Sequence, residues 1–270
     1  MTAPRPSPLA GPRLWDRSAP SYLQDVAPGL SLFCDEALRL AGVGPGSRLG
    51  DVACGPGALS FAAAARGARV SALDFSTEMI ALLRQRAARE GGAVDAVVGD
   101  GQALPWPDGQ LDAAVSLFGL IFFPERARGL AELRRVLRPG GRAVVSSWVP
   151  AERVPVLAEA WAILSVELPD LAYSRVRPAL GTPDEARAEL SAAGFEHVEV
   201  HEVRREHAMP SAAEYWRSLA RSAPPMVMAR EAAGDRWPAL SERIERAVEA
   251  AHGTGPFRMP LLALLSVGVR

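Results

Sequence analysis

At 270 residues, 49% apolar and 23% charged, the chain has room for one large core, or one core with an appended cap, in an ordinary globular composition. A net charge of −1 leaves no broad basic field for nucleic acid or anionic lipid. Two cysteines, Cys34 and Cys54, make neither a disulfide framework nor a metal site, so no metal is expected.

Residues 1–20 carry Pro4, Pro6, Pro8, Pro12 and Pro20, which reads as a loose arm turning helical near Tyr22. LSLFCDEALRLAG (30–42) has helical apolar spacing and closes at Gly42. Strands and helices then alternate. RLGDVA (48–53) reads as a strand and ALSFAAAAR (58–66) as a helix. ARVSALD (68–74) is a second strand, before a helix that Ser76 would cap. VDAVVGD (94–100) and LDAAVSLF (111–118) are further strands. A helix opening at Pro124 and ending in RPGG (138–141) precedes a fifth strand, GRAVVSSW (141–148). Such alternation implies parallel strands with right-handed crossovers, an α/β doubly wound sheet.

The last third reads as a helix and an irregular stretch over 151–180, then helix starts at TPDE (182–185) and SAAE (211–214). FEHVEVHEV (195–203) and PLLALLSVGVR (260–270) are strands. The expected organisation is an N-terminal arm with helices (1–44), an α/β cofactor-binding core (45–203), a helical cap (204–258) and a final core strand (259–270). The chain start lacks a basic stretch followed by an apolar run, and no 18-residue apolar run follows, so the expectation is a cytoplasmic protein without membrane contact.

DVACGPG (51–57) is the informative turn. In a parallel sheet, ligands bind beyond the carboxyl ends of the strands at the switch point. Dinucleotides and S-adenosylmethionine both use glycine-rich turns there. A dinucleotide turn favours G-x-G-x-x-G, but Ser60 stands where the third glycine would be. Asp51 just ahead of the turn would repel a pyrophosphate and suits an ammonium. Asp74 closes the second strand, placed for ribose hydroxyls. Asp100 in GDGQ (99–102) closes the third, placed for an adenine amino group, with Leu73, Phe75 and Leu104 as apolar walls. Three acids at three consecutive strand ends make a site for a cationic nucleoside and disfavour an NAD-dependent oxidoreductase.

On DVACGPG, Asp74, GDGQALPWPDGQLDAAVSLFG and ELRRVLRPGGRAVVSSW, the chain resembles the class I S-adenosylmethionine-dependent methyltransferases. It is similar to their ubiquinone/menaquinone C-methyltransferase branch and the small-molecule enzymes related to it. The resemblance implies a Rossmann-like, seven-stranded mixed sheet of order 3-2-1-4-5-7-6, its last strand antiparallel. It implies S-adenosylmethionine as cofactor and S-adenosylhomocysteine as product. Carried over by position, Asp51, Gly55 and Gly57 would hold the methionine part, Asp74 the ribose, and Asp100 with Gln102 the adenine; Ala53, Phe75 and Gly101 complete the expected cofactor-binding set. Ser116 and Phe118 would flank the methyl group. The chain departs from the family at Ala53, where a glycine is usual, and at GLIFFPE (119–125), where many relatives carry a histidine.

The expected acceptor is a small, apolar or aromatic metabolite walled by Tyr22, Trp148, Tyr173, Tyr215 and Trp216, methylated on O, N or C, in secondary-metabolite biosynthesis. Of four histidines His207, between the sixth strand and the cap helix, is a weak candidate base; His197 and His201 read as solvent-facing and His252 as a helix-end cap. The expected partner is a small-molecule acceptor, with no nucleic acid, and the chain a monomer or homodimer. The alternatives are a same-fold protein that binds S-adenosylmethionine but catalyses a non-methyl reaction such as cyclisation, and a non-catalytic binding module.

Overall fold

A computed structural model of the protein describes residues 7–90, 94–171 and 179–270. Seven strands, β1 (Arg48–Val52), β2 (Arg69–Asp74), β3 (Val94–Val98), β4 (Leu111–Ser116), β5 (Leu137–Trp148), β6 (Glu196–Met209) and β7 (Phe257–Val269), form one sheet. Their order is β3-β2-β1-β4-β5-β7-β6, as expected from the family resemblance. The first five pair in parallel, and β7 runs antiparallel to both β5 and β6. Strand β1 lies at the centre, so Leu49, Gly50, Asp51 and Val52 are all buried, apolar or not.

Helices α1 (Pro12–Asp25), α2 (Ala27–Ser31) and α3 (Cys34–Leu40) precede the sheet. Helices α4 (Ala58–Ala65), α5 (Thr77–Glu90) and α6 (Arg126–Val136) link its parallel strands. Helices α7 (Pro155–Glu167) and α8 (Pro183–Ala192) separate β5 from β6, while α9 (Ala212–Ser222), α10 (Pro224–Ala233) and α11 (Trp237–His252) separate β6 from β7. One core carries Leu38, Leu59 and Leu83 from α3, α4 and α5; the other carries Leu130, Leu133 and Leu190 from α6 and α8.

Capping fixes several helix starts. Ser76 Oγ accepts from Met79 N at 3.2 Å, Thr182 Oγ1 from Glu185 N at 3.3 Å, and Ser211 Oγ from Glu214 N at 3.0 Å. Other boundaries differ from the sequence reading. The N-terminal arm turns helical at Pro12, where the missing N–H of proline costs nothing at a helix start, and Leu14, Ser18 and Tyr22 share its buried face. The 30–42 stretch is interrupted between α2 and α3. Helix α6 begins at Arg126, after Pro124, and the RPGG segment is already part of the extended β5. Strand β6 continues through 204–209 along β7, so the boundary at 204 falls inside a strand and the insertion's helices start at Ala212.

Over the carboxyl ends of the strands α1 packs against α5, α9 and α10, and α11 packs against α9 and α7. Ion pairs fasten this roof. Asp25 at the end of α1 accepts from Arg221 Nε at 2.8 Å and Nη2 at 2.7 Å and from the Ser222 hydroxyl, while Arg17 pairs with Glu231 of α10.

Candidate functional site

Two cavities open under the roof. The smaller, about 290 Å³, lies beyond β1, β2 and the loops after β3 and β4. Its wall includes Ala53, Gly55, Asp74, Phe75, Asp100, Gly101, Gln102 and Phe118, eight of the eleven residues expected to hold a cofactor. The turn is shaped for close approach. Gly55 has φ +53, and a Cβ there would meet nothing within 4 Å, so the backbone faces open space. Ala53 holds φ +58 although it carries a methyl group, a strained conformation at the position where the family's glycine is usual.

Asp74 is the best-organised acid in this cavity. Its Oδ2 accepts from Gly55 N at 2.8 Å and its Oδ1 from Ser76 N at 2.9 Å, which fixes the carboxylate against the turn. Burial pushes its pKa up to about 6 despite those bonds. Asp100 Oδ1 accepts from Gln102 N at 2.8 Å and Gln102 Nε2 at 3.1 Å, and Gln102 Oε1 accepts from Glu125 N at 2.9 Å. That chain of bonds orders the exposed rim.

Three expected cofactor residues do not line the cavity. Asp51 is 1% exposed within central β1 and accepts from Ser60 Oγ at 2.5 Å; burial raises its pKa to about 7. The structure gives it a place beneath the turn, bound to the residue that the sequence reading used only as a missing glycine. Gly57 has φ +86, and a Cβ there would lie 2.9 Å from Leu83 Cγ, so it permits α4 to pack rather than touching the cavity. Ser116 is fully buried and accepts from Leu120 N at 3.0 Å, shaping the loop after β4.

The larger cavity, about 540 Å³, lies beside the first, between α1, α7, the end of β5 and the helical insertion. Tyr22, Trp148 and Tyr215 line it as expected. Trp216 does not: it is fully buried, and its indole N–H donates to Ser241 O at 3.2 Å. Successive helix positions point about 100° apart, and here Tyr215 turns to the cavity while Trp216 turns into the core. Tyr173 lies outside the described residues. His207 lines neither cavity; it sits on β6 opposite Met259, and burial lowers its pKa, which favours the neutral ring.

Trp15, Tyr22, Phe118 and Phe122 line both cavities and mark where they meet. Phe118 holds φ +61, donates its N–H to Ser146 Oγ at 2.7 Å, and stacks on Trp148 with centroids 4.0 Å apart. Trp15 meets Phe122 edge-on at 5.0 Å. Sequence reasoning missed Trp15 because it lies in a proline-rich arm; the spacing Leu14, Ser18, Tyr22 was the available signal. Phe122 was noticed only as a departure from the histidine of relatives. No metal-binding cluster of His, Cys, Asp or Glu occurs among the described residues, and no described helix is long and apolar enough to cross a membrane.

Residues 50–145 match the Methyltransferase domain family. The chain is 46% identical over 99 residues to the ubiquinone/menaquinone biosynthesis C-methyltransferase UbiE of Methylobacterium nodulans, covering 35% of this chain and 39% of that protein. It thus spans well under half the length of that relative, and 39% of an uncharacterized protein of Mycobacterium tuberculosis to which it is 41% identical over 108 residues. In fold it resembles the [4+2]-cyclase SpnF, with TM-score 0.62, 19% identity, and 98% and 96% of the two chains covered. The donor set of the smaller cavity fits a nucleoside: an anchored carboxylate, an open glycine backbone and apolar walls at Leu73, Phe75 and Met79.

Proposed function

We propose that this chain, which belongs to the class I S-adenosylmethionine-dependent methyltransferases through its residues 50–145, transfers a methyl group to a small apolar or aromatic molecule held in the larger cavity. One observation carries the reading. A nucleoside-sized cavity with an anchored carboxylate adjoins an apolar chamber, and four aromatic side chains line both.

When bound, S-adenosylmethionine supplies a methyl group on a positively charged sulfur, open to attack by an acceptor nucleophile. In the smaller cavity Asp74 would accept the ribose hydroxyls with the lone pairs left by Gly55 and Ser76, and Asp100 and Gln102 would meet the adenine edge. Phe118 and Phe122 would orient the acceptor at the junction, and the α1 roof would exclude water. Positioning of this kind can contribute on the order of several kcal/mol to a transfer step. No histidine lines either cavity, and burial together with the nearby Asp74 holds the Tyr22 phenol far above its ordinary pKa, so it stays protonated. The acceptor therefore arrives already nucleophilic, or loses its proton to water or to a carboxylate of the cavity walls.

On this reading the arm (1–44) and the cap (204–258) are acceptor-binding parts added to the core (45–203) and its final strand (259–270). The partner is a small-molecule acceptor, with no nucleic acid or membrane involved, and the enzyme is a cytoplasmic monomer or homodimer serving secondary-metabolite biosynthesis. The alternative, a cyclisation or other non-methyl reaction with the cofactor retained, draws support from the likeness to SpnF over 98% of this chain. Incubation with S-adenosylmethionine and a panel of phenols, amines and quinones separates them. Acceptor-dependent S-adenosylhomocysteine supports transfer; tight cofactor binding with acceptor conversion but no S-adenosylhomocysteine supports the alternative.

A further inference from the structure

The larger cavity has a charge pattern of its own. The chain carries 30 arginines and 4 histidines, yet none is among the described residues that line this chamber. Among the described residues its one charged lining side chain is Glu152, exposed at the rim. Trp15, Trp148, Trp161, Phe118 and Phe122 supply flat apolar walls. A carboxylate or phosphate drawn against these described walls would lose its hydration and find no cation among them in exchange, while Glu152 repels it at the mouth.

Two phenols stand in the apolar wall. Tyr22 and Tyr215 are 9% and 8% exposed, and neither hydroxyl has a hydrogen-bond partner among the described residues. Ser18 Oγ is the one buried side-chain oxygen without a partner among the described residues, so both phenol oxygens keep access to the cavity space and are free to bond oxygens or nitrogens of a ligand there. Burial raises both phenols above their ordinary pKa, so each is available as a donor. Tyr22 also lines the cofactor cavity, which gives it the reacting end of the acceptor, and Tyr215 lines only the larger chamber.

Resting on the methyl-transfer reading above, we propose that the acceptor is an uncharged, ring-bearing molecule whose hydroxyl or carbonyl oxygens are read by Tyr22 and Tyr215, and that the chamber rejects carboxylated or phosphorylated versions of the same ring. Tyr22 acts here as a positioning residue, donating to the acceptor beside its nucleophilic atom.

A matched set of probes tests this. The full chain, saturated with S-adenosylhomocysteine, is titrated with 2-acetylnaphthalene, 2-naphthoate and naphthalene, and binding is read from tryptophan fluorescence. The ketone and the carboxylate have nearly the same shape and differ in charge. The ketone is expected to bind at least about tenfold more tightly than the carboxylate. Tyr22→Phe and Tyr215→Phe should each weaken the ketone by roughly three- to tenfold, the scale of one hydrogen bond, and leave naphthalene unchanged. Equal or tighter binding of 2-naphthoate, no saturable ketone binding up to millimolar concentration, or ketone affinity untouched in both variants would each overturn the proposal. Failure of the protein to bind S-adenosylhomocysteine in the first place would instead overturn the methyl-transfer reading.

Discussion

Gly119 begins the loop that separates β4 from the junction of the two cavities, and its lack of a side chain is a packing requirement. Its backbone, φ −95 and ψ −49, is open to any residue, so alanine there brings no conformational strain. A Cβ at Gly119 would, however, overlap the Ala53 methyl outright and stand 3.1 Å from Ser116 Oγ. Gly119→Ala should therefore cost about 1–3 kcal/mol in urea unfolding, the range for overpacking a fitted interior. It should also weaken S-adenosylhomocysteine in calorimetry, because Ala53 and Gly119 both line the cofactor cavity. Ala53→Gly removes the obstructing methyl and relaxes a residue held at φ +58. Alone it should be neutral or stabilising by up to about 1 kcal/mol, as relief of left-handed strain offsets the extra freedom of the unfolded chain. In the double variant the nearest remaining neighbours are Ser116 Oγ at 3.1 Å and Ala53 Cα at 3.5 Å, so most of the loss should return. The coupling between the two sites should be about 1–2 kcal/mol. A Gly119→Ala protein as stable as the parent, or one that Ala53→Gly fails to rescue, refutes the assigned contact.

Other perturbations test the site and its supports. Asp74→Ala should weaken S-adenosylmethionine by roughly 2–3 kcal/mol, the scale of hydrogen bonds to a charged group; unchanged affinity in calorimetry counts against the ribose assignment. Because the Asp74 pKa is pushed up to about 6, S-adenosylhomocysteine affinity should fall about tenfold from pH 7.5 to pH 5, and a flat profile contradicts a role for the ionised carboxylate. Asp51, raised by burial to about 7 from an unfolded value near 4, binds its proton more tightly in the folded state. Its contribution to stability is therefore present at low pH and lost as pH rises through 7. Asp51→Asn should flatten that decline by up to about 1.4 kcal/mol per pH unit between pH 4 and 7, and an identical slope in urea titrations argues against it. Asp25→Ala removes the acceptor for Arg221 and Ser222 and should speed proteolytic cutting in α1 severalfold; unchanged cutting means that the latch does not hold the roof.

Strand ends were the legible part of the site, because the period of the strands and the glycine turn fix where each ends. Asp74 and Asp100 follow on those grounds with Phe75 as the wall beside them, Gln102 follows from the family resemblance, and all four line the smaller cavity. Asp51 was legible as an acid ahead of the turn but not as a buried one. Its burial follows from β1 lying between β2 and β4, and its partner Ser60 is nine residues away across the turn. The chamber was half legible. Tyr22, Trp148 and Tyr215 were named from their element ends, whereas Trp216 was taken for a wall though it packs into the core. Trp15 and Phe122 needed tertiary information, since each reaches the cavities through the way the arm crosses α5 and the loop after β4. Helix starts at Ser76, Thr182 and Ser211 were readable because a capping side chain acts within three residues.

The threading of β7 between β5 and β6 governs the order in which the molecule can be assembled on the ribosome. Strands β1 to β5 can pair as they emerge, but β6 has no neighbour until a strand made some fifty residues later slides in beside it. The larger cavity, walled in part by the helices between those two strands, is thus completed in the same event that closes the sheet. Every described residue that lines the smaller cavity, by contrast, has been made before β5 begins.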